Sequence, residues 1–266
     1  MRYLHLLVIF IRASFQREAA FRFNFAINFL NTVLNLVGSI GGLAVVFHNK
    51  DSLNGWGYSE AMALLGVYLL MLGLKGLVIG PSLDSLSGLS GELWTGLFDF
   101  TLLKPIPVQY HVSFRKWSLW SVVDITIAAA IIILAVFKHN SLPSDITYGT
   151  YILFPLSILI SLLFIYSVLL ILASAAFWYL GTPLMWIFDS LIQTGRFPVG
   201  IYPGFFRILL TWFIPVGFII TVPAQVLSGR TDTALLAGGA LLSAVLFTAA
   251  TMFFRQSIRK YSSASS

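Results

Sequence analysis

One nearly uncharged stretch constrains the fold of this chain more than any other feature. Between Tyr148 and Thr194 the sequence contains a single ionised residue, Asp189. As one helix those 47 residues would rise about 70 Å, more than twice the roughly 30 Å hydrocarbon core of a bilayer. The stretch therefore predicts two membrane-spanning helices, over about 149–171 and 174–195, joined by a tight turn.

Composition extends this conclusion to the whole chain. Of its 266 residues, 58% are hydrophobic and only 10% are charged, and the mean hydropathy is +0.89. A soluble domain carries about 25% charged residues because its surface faces water. We therefore expect an all-α integral membrane protein in which residues 1–266 form a single transmembrane domain.

The charged residues are mostly basic, with a net charge of +6 and a pI near 9.7. Membrane proteins concentrate Lys and Arg in cytoplasmic loops, so this excess does not indicate a nucleic-acid partner. The chain has no cysteine, and its four histidines lack the spacing of metal ligands. The sequence thus predicts neither a disulfide nor a metal site.

The N-terminal residues 1–24 have the pattern of an amphipathic helix in the membrane interface. The apolar run Leu4–Ile11 is short and is followed by Arg12 and Arg17 rather than by a small-residue cleavage site. A secretory signal is therefore not expected.

Seven apolar segments are candidates for membrane spans. The five outside the uncharged stretch are 25–47, 60–80, 117–137, 205–228 and 233–254. Both chain ends carry basic clusters, which places both ends in the cytoplasm and requires an even number of spans.

The segment to exclude is 205–228, because it contains Arg207 and two prolines. We expect six spans, with 196–230 forming a re-entrant helix pair on the extracytoplasmic side. An alternative with the same parity merges 149–180 into one long span and lets 205–228 cross.

Four asparagines recur at spacings of four, three and four residues, which places them on one face of the first span. They are Asn24, Asn28, Asn31 and Asn35. An unpaired amide is costly in lipid, so this face points into protein. Hydrogen bonding between helices and a polar wall of a translocation pathway both remain open.

Three charged residues lie inside predicted spans, where ionisable groups are candidates for function. Lys75 and Asp124 fall at similar depths in neighbouring spans, and we expect them to form an ion pair. Asp189 lies near the outer end of its span, within reach of Arg196.

Motif searches exclude some functions. None of the lysines is followed by Ser or Thr, so the chain has no phosphate-binding loop of the G-x-x-x-x-G-K-[ST] type. A G-x-S-x-G elbow is also absent. We therefore expect a protein that is not an enzyme and does not hydrolyse ATP itself.

The polar segment 81–116 is long for a loop in so economical a chain. It combines apolar residues with scattered acids, which suggests a short amphipathic helix that docks in the groove of a soluble partner. A helix that rests on the bilayer is an equally good interpretation of the same pattern.

Three motifs make the chain resemble the permease subunits of ABC-2-type exporters, in particular the short single-module bacterial permeases. They are Gly91-Glu-Leu-Trp-Thr-Gly-Leu-Phe-Asp-Phe-Thr-Leu-Leu-Lys-Pro-Ile-Pro107, Arg196-Phe-Pro-Val-Gly-Ile-Tyr-Pro203 and Phe213-Ile-Pro-Val-Gly-Phe-Ile-Ile-Thr-Val-Pro-Ala224. The order of the apolar and polar segments matches as well.

The resemblance implies a fold and a division of labour. Segment 81–116 would be a cytoplasmic coupling helix that docks on a separate nucleotide-binding ATPase subunit, which binds ATP and Mg. The coupling residues would be Glu92, Trp94, Asp99, Lys104 and Pro105. A second permease, identical or paralogous, would complete an efflux dimer in the bacterial inner membrane, with both termini cytoplasmic.

Two other functions remain as alternatives: an ATP-independent secondary transporter or channel, and a membrane-embedded enzyme. The first usually shows an inverted repeat, which we do not detect. Richness in Phe, Trp and Leu is compatible with a lipid, a glycolipid or an amphipathic drug as substrate. It is equally compatible with a lipid-facing surface, so it does not select among them.

Overall fold

The computed structural model describes residues 2–20, 22–48, 52–53, 55–138, 148–210, 215–230 and 233–262. The described chain is helical almost throughout. Its strands form one two-stranded antiparallel hairpin of β1 (Ser52–Leu53) and β2 (Trp56–Gly57). The side of the bundle that carries this hairpin is called the hairpin end below.

Two helices precede the hairpin, α1 (Arg2–Ala20) and α2 (Arg22–Phe47). Two side chains of α1 accept backbone hydrogen bonds from the residues that lead into the third long apolar segment. Trp117 N donates to Ser14 Oγ at 3.0 Å, and Leu119 N donates to Glu18 Oε2 at 3.0 Å. These contacts fix α1 against the rest of the chain.

The centre of the fold is α3 (Tyr58–Leu74), which continues through a π-helical turn (Lys75–Ile79) into α4 (Gly80–Asp84). It packs along α8 (Ser121–Lys138). A Cβ on Gly66 would lie 2.6 Å from Ile132 Cγ1, and a Cβ on Gly73 would lie 2.8 Å from Ile125 Cγ1. The two glycines therefore allow the backbones to approach closely, as small residues do between membrane helices.

A second pair of long helices is formed by α9 (Tyr148–Ala175) and α13 (Thr233–Lys260), which pack along each other. Buried serines on α9 bond to their own helix, as Ser174 Oγ does to Leu170 O at 2.6 Å. This satisfies the hydroxyls inside an apolar core.

Between α9 and α13 the chain forms short helices. They are α10 (Leu184–Ile192), 3₁₀ turns at Gln193–Arg196 and Val199–Ile201, α11 (Gly204–Ile208), a π-helical turn at Gly217–Thr221, and α12 (Val222–Leu227).

The predicted continuous span over 174–195 is wrong. The chain leaves α9 at Ala175, and Gly181 adopts a φ of +78° before α10 begins. At nine residues α10 rises only about 13 Å, roughly half of the hydrocarbon core. Uniform hydropathy could not reveal this break, which Gly181 and Pro183 cause.

Four helices in the described chain are long and apolar enough to cross a membrane. They are Ala26–Phe47, Tyr58–Asp84, Ile152–Ala175 and Thr233–Lys260, and the shorter apolar helices are Ser121–Phe137 and Gly217–Leu227. The all-α membrane fold is thus confirmed, whereas the six-span count and the re-entrant pair stay predictions.

Segment 81–116 begins within α4, at the end of the bundle opposite the hairpin. It contains α5 (Glu92–Thr95), α6 (Phe98–Leu102) and α7 (Val108–Phe114). The expectation of one amphipathic helix is therefore wrong. Gly88 and Gly96, with φ of +79° and +73°, turn the chain where side chains with a Cβ are disfavoured.

Candidate functional site

A cavity of about 400 Å³ lies between α2, α3, α8 and the end of α10. Most of its lining side chains are polar, although the surrounding helices are apolar. The polar ones are Asn28, Asn31, Thr32, Asn35, Tyr68, Lys75, Ser118, Ser121, Asp124, Asp189, Gln193 and Arg196. The volume falls within the usual 300–1,000 Å³ of small-molecule sites.

One ion pair crosses this cavity. Lys75, at the start of the π-helical turn after α3, is bonded through Nζ to the Asp189 carboxylate on α10. The Lys75 side chain is 11% exposed and that of Asp189 is 41% exposed. The predicted pairing of Lys75 with Asp124 is therefore wrong, because α10 brings a different carboxylate to the lysine.

Asp124 has another partner. The Thr32 hydroxyl of α2 donates a hydrogen bond to Asp124 Oδ1 at 2.7 Å. This bond links α2, most of which is exposed, to α8.

Arg196 closes the cavity toward the hairpin end. Its Nε donates to the Tyr68 hydroxyl at 3.1 Å, and its Nη2 donates to Asn35 Oδ1 at 3.0 Å. The guanidinium carbon also lies 5.8 Å from the centre of the Tyr68 ring. The expected pairing of Arg196 with Asp189 is wrong, since Asp189 is bonded to Lys75.

The asparagine face of α2 turns toward this cavity. Asn28, Asn31 and Asn35 all line it, and Asn35 also donates to Asn31 O at 3.0 Å. The side chain of Asn24 lies outside the described residues. The residues that sequence reasoning missed are Tyr68, Gln193 and Thr32, whose only signal is the polar side chain within an apolar helix.

A second polar cluster lies within segment 81–116. The Arg115 guanidinium is bonded to the Glu92 carboxylate, and its Nη2 donates to Ser85 Oγ at 2.7 Å. The side chains of Arg115 and Glu92 are only 8% and 16% exposed. The structure thus places Glu92 inside the segment, not on a surface that a partner would touch.

The other residues expected to couple lie closer to the surface. Trp94 is 51% exposed and packs beside Gly181, while Lys104 and Pro105 are exposed and Asp99 is half-buried. Lys104 Nζ lies 3.1 Å from His111 Nε2. Because an ammonium group only donates, Nε2 accepts this bond and the neutral ring carries its hydrogen on Nδ1.

Burial lowers the pKa of His111 to about 4, with the positive charges of Lys104 and Arg115 adding to the effect. The ring is buried against Phe10 of α1, at 5.4 Å between ring centres. Burial also lowers the pKa of Lys116, with Arg115 as the next cause. Segment 81–116 therefore holds titratable side chains in its interior beside its own positive charges.

Apolar side chains cover the outside of the same segment. Leu89, Trp94, Leu97, Phe100, Leu102 and Leu103 are between 38% and 80% exposed. We call these six residues the apolar patch. Among the described residues, no group of three or more His, Asp or Glu is arranged to hold a metal ion.

Comparisons with known proteins agree with this architecture. None of the curated proteins compared with the chain matches it. The family model for ABC-2 family transporter proteins matches residues 33–265, so α1 and the first part of α2, with Asn28 and Asn31, precede the match. Because the match covers well over half of the sequence, this chain belongs to the ABC-2 family of transporter proteins and is a multi-pass membrane permease subunit of an ABC transporter.

Proposed function

We propose that this permease forms the translocation pathway of an exporter and is driven by a separate ATPase subunit that docks on the apolar patch of segment 81–116. The observation that carries the proposal is the patch itself. Phe100 is 65% exposed and Leu103 is 80% exposed on a segment that buries other apolar side chains, such as Phe98. Exposed apolar surface of this kind marks interaction sites.

The segment has the rigidity that force transmission requires. The Glu92–Arg115 pair fastens α5 to the end of α7. Ser82 and Lys116 bond reciprocally, Ser82 Oγ donating to Lys116 O at 2.7 Å and Lys116 N donating to Ser82 Oγ at 3.0 Å. The two ends of the segment, in α4 and just before α8, are thereby tied to each other.

A movement of segment 81–116 would change the shape of the cavity. Lys75 and Gly76 line it from the end of α3, and Ser121 and Asp124 line it from the start of α8. A shift of the segment therefore moves two walls of the cavity relative to α2 and α10. Rigid-body movement of packed helices is a common form of transport gating.

The working assembly follows from the same division of labour. Two permease chains, identical or paralogous, would pair with two ATPase subunits that bind ATP and Mg. Both termini and segment 81–116 would face the cytoplasm of a bacterium, because they carry basic residues, which favour the cytoplasmic side. ATP hydrolysis belongs to the partner chain in this scheme.

The test replaces three patch residues, Leu97, Phe100 and Leu103, by serine. The matched control replaces Leu241, Leu242 and Val245 by serine, since these are comparably exposed on α13. We expect the patch variant to lose co-purification of the ATPase subunit and the control to keep it, with equal thermal stability. Retention of the ATPase by a folded patch variant would refute the docking site.

A further inference from the structure

We infer that the cavity binds the head group of an amphipathic molecule, and that this head group is uncharged and rich in hydroxyl or amide groups. The inference rests on the proposed transport function, because it names the class of substrate for the same cavity. It depends on three features: the pairing of the charges, the unused hydrogen-bonding groups and the exposure of α2.

Each charged group of the cavity already has a hydrogen-bond partner within the chain. Lys75 is bonded to Asp189, and Asp124 accepts from Thr32. Arg196 donates to Tyr68 and Asn35. Lys75 and Asp189 form the ion pair, and the two cations and two anions of the lining sum to zero, so the cavity carries no net charge that would favour a ligand of either sign.

Neutral polar groups are what the cavity offers instead. Within the described part of the chain, the side-chain amides of Asn28 and Asn31 bond to no other group. Ser118 and Ser121 also line the cavity. An amide both donates and accepts, which matches hydroxyl groups and other amides better than it matches an ion.

The unpaired asparagine amides favour a bound ligand in the cavity. Asn28 and Asn31 lie on an apolar spanning helix, where a polar group without a partner costs free energy. Both side chains are exposed on α2, so nothing in the described part of this chain covers them. A head group that bonds to both amides removes this cost, so these residues select for it.

The rest of the ligand is apolar because of where the cavity lies. Phe29 and Leu36 flank the asparagines on α2 and also line the cavity. Phe29 is 51% exposed, and most of α2 carries no protein cover. A chain attached to the head group can therefore lie along α2 in the lipid while the head group occupies the polar volume of about 400 Å³.

The experiment uses the full complex with its ATPase in phosphatidylcholine vesicles. Three photoreactive probes share a decyl chain with a diazirine beside the head group, which is glucosyl, phosphate or trimethylammonium. Labelled residues are located by peptide mass spectrometry. We expect the glucosyl probe to label the cavity helices at least about fivefold more than either charged probe. Hydroxyl groups can both donate to and accept from the amides, whereas each charged head group misses at least one of these hydrogen bonds, and one lost hydrogen bond weakens binding about fivefold.

The variants are Asn28→Leu and Asn31→Leu, with Asn31→Gln to restore an amide. Thr248→Leu is the matched control, because Thr248 is an exposed polar residue of α13 away from the cavity. Each leucine variant should lose about fivefold of the glucosyl labelling. Asn31→Gln and the control should keep it.

Two outcomes would overturn the inference. One is equal labelling by a charged probe. The other is glucosyl labelling that the asparagine substitutions leave unchanged, which would report only partitioning into the bilayer. Co-purification of the ATPase is scored in the same samples. An associated, active ATPase with an unlabelled cavity refutes the substrate class alone. A labelled cavity without any ATPase refutes the proposed function alone.

Discussion

The Thr32 hydroxyl donates a 2.7 Å hydrogen bond to Asp124 Oδ1 and so joins α2 to α8 across the mouth of the cavity. Together with the Arg196–Asn35 hydrogen bond and the buried Leu43 side chain, this bond holds α2, the least buried of the long apolar helices, to its neighbours. It also keeps the Asp124 carboxylate satisfied at membrane depth.

Thr32→Val should therefore loosen α2. We expect a loss of roughly 1.5–3 kcal/mol in the free energy of unfolding, the usual effect of removing a donor from a charged acceptor. Unfolding in mixed micelles measures it. Thr126→Val is the matched control, because Thr126 is exposed on α8 and bonds only to Val123 O. Equal stability of the two variants would contradict the assignment.

Glu92→Gln should destabilise segment 81–116 although it removes no volume. Arg115 would then be a buried cation without a counter-ion, which typically costs about 3–5 kcal/mol. The double variant Glu92→Leu with Arg115→Met should recover most of this loss. Thermal unfolding of the wild type, Glu92→Leu, Arg115→Met and the double variant in a double-mutant cycle measures the coupling, and additive effects would argue against a direct pair.

Sequence reasoning identified the family, the helical membrane fold and the polar face of α2, because these depend on hydropathy, motif order and the 3.6-residue period. Asn28, Asn31 and Asn35 share a face in any helix, and the structure turns that face to the cavity. Local patterns carry this information because each element is longer than its period.

The partners of the charged residues could not be predicted in the same way. Lys75 and Asp189 are 114 residues apart, and their contact depends on the short helix α10, which stands where hydropathy predicted a continuous span. Counting residues gave Lys75 and Asp124 similar depths but not their directions around the helix axes. The expected exposure of Glu92 could not be tested from the sequence for a related reason. An acidic residue in a polar segment gives no sign that it pairs with Arg115 inside the segment.

Acid should destabilise this protein through His111. Its pKa is about 4 in the folded chain, below the unperturbed 6.5. The unfolded chain therefore binds a proton first, and stability is lost as the pH falls from about 6.5 towards 4, by up to about 3 kcal/mol. His111→Gln should flatten the melting temperature over this window. Lys104→Met should narrow the window, because it removes one of the cations that depress the pKa.

Gly73→Ala should weaken the contact between α3 and α8. The added Cβ would lie 2.8 Å from Ile125 Cγ1 and 3.2 Å from Ile125 N, and the backbone atom cannot move without shifting α8. Overpacking of this kind costs roughly 1–3 kcal/mol. Gly38→Ala is the matched control, because a Cβ there meets nothing within 4 Å and alanine raises helix propensity. Thermal unfolding should therefore show a lower melting temperature for Gly73→Ala and an unchanged or higher one for Gly38→Ala. The same shift in both variants would mean that Gly73 is not needed for the close approach of α3 and α8.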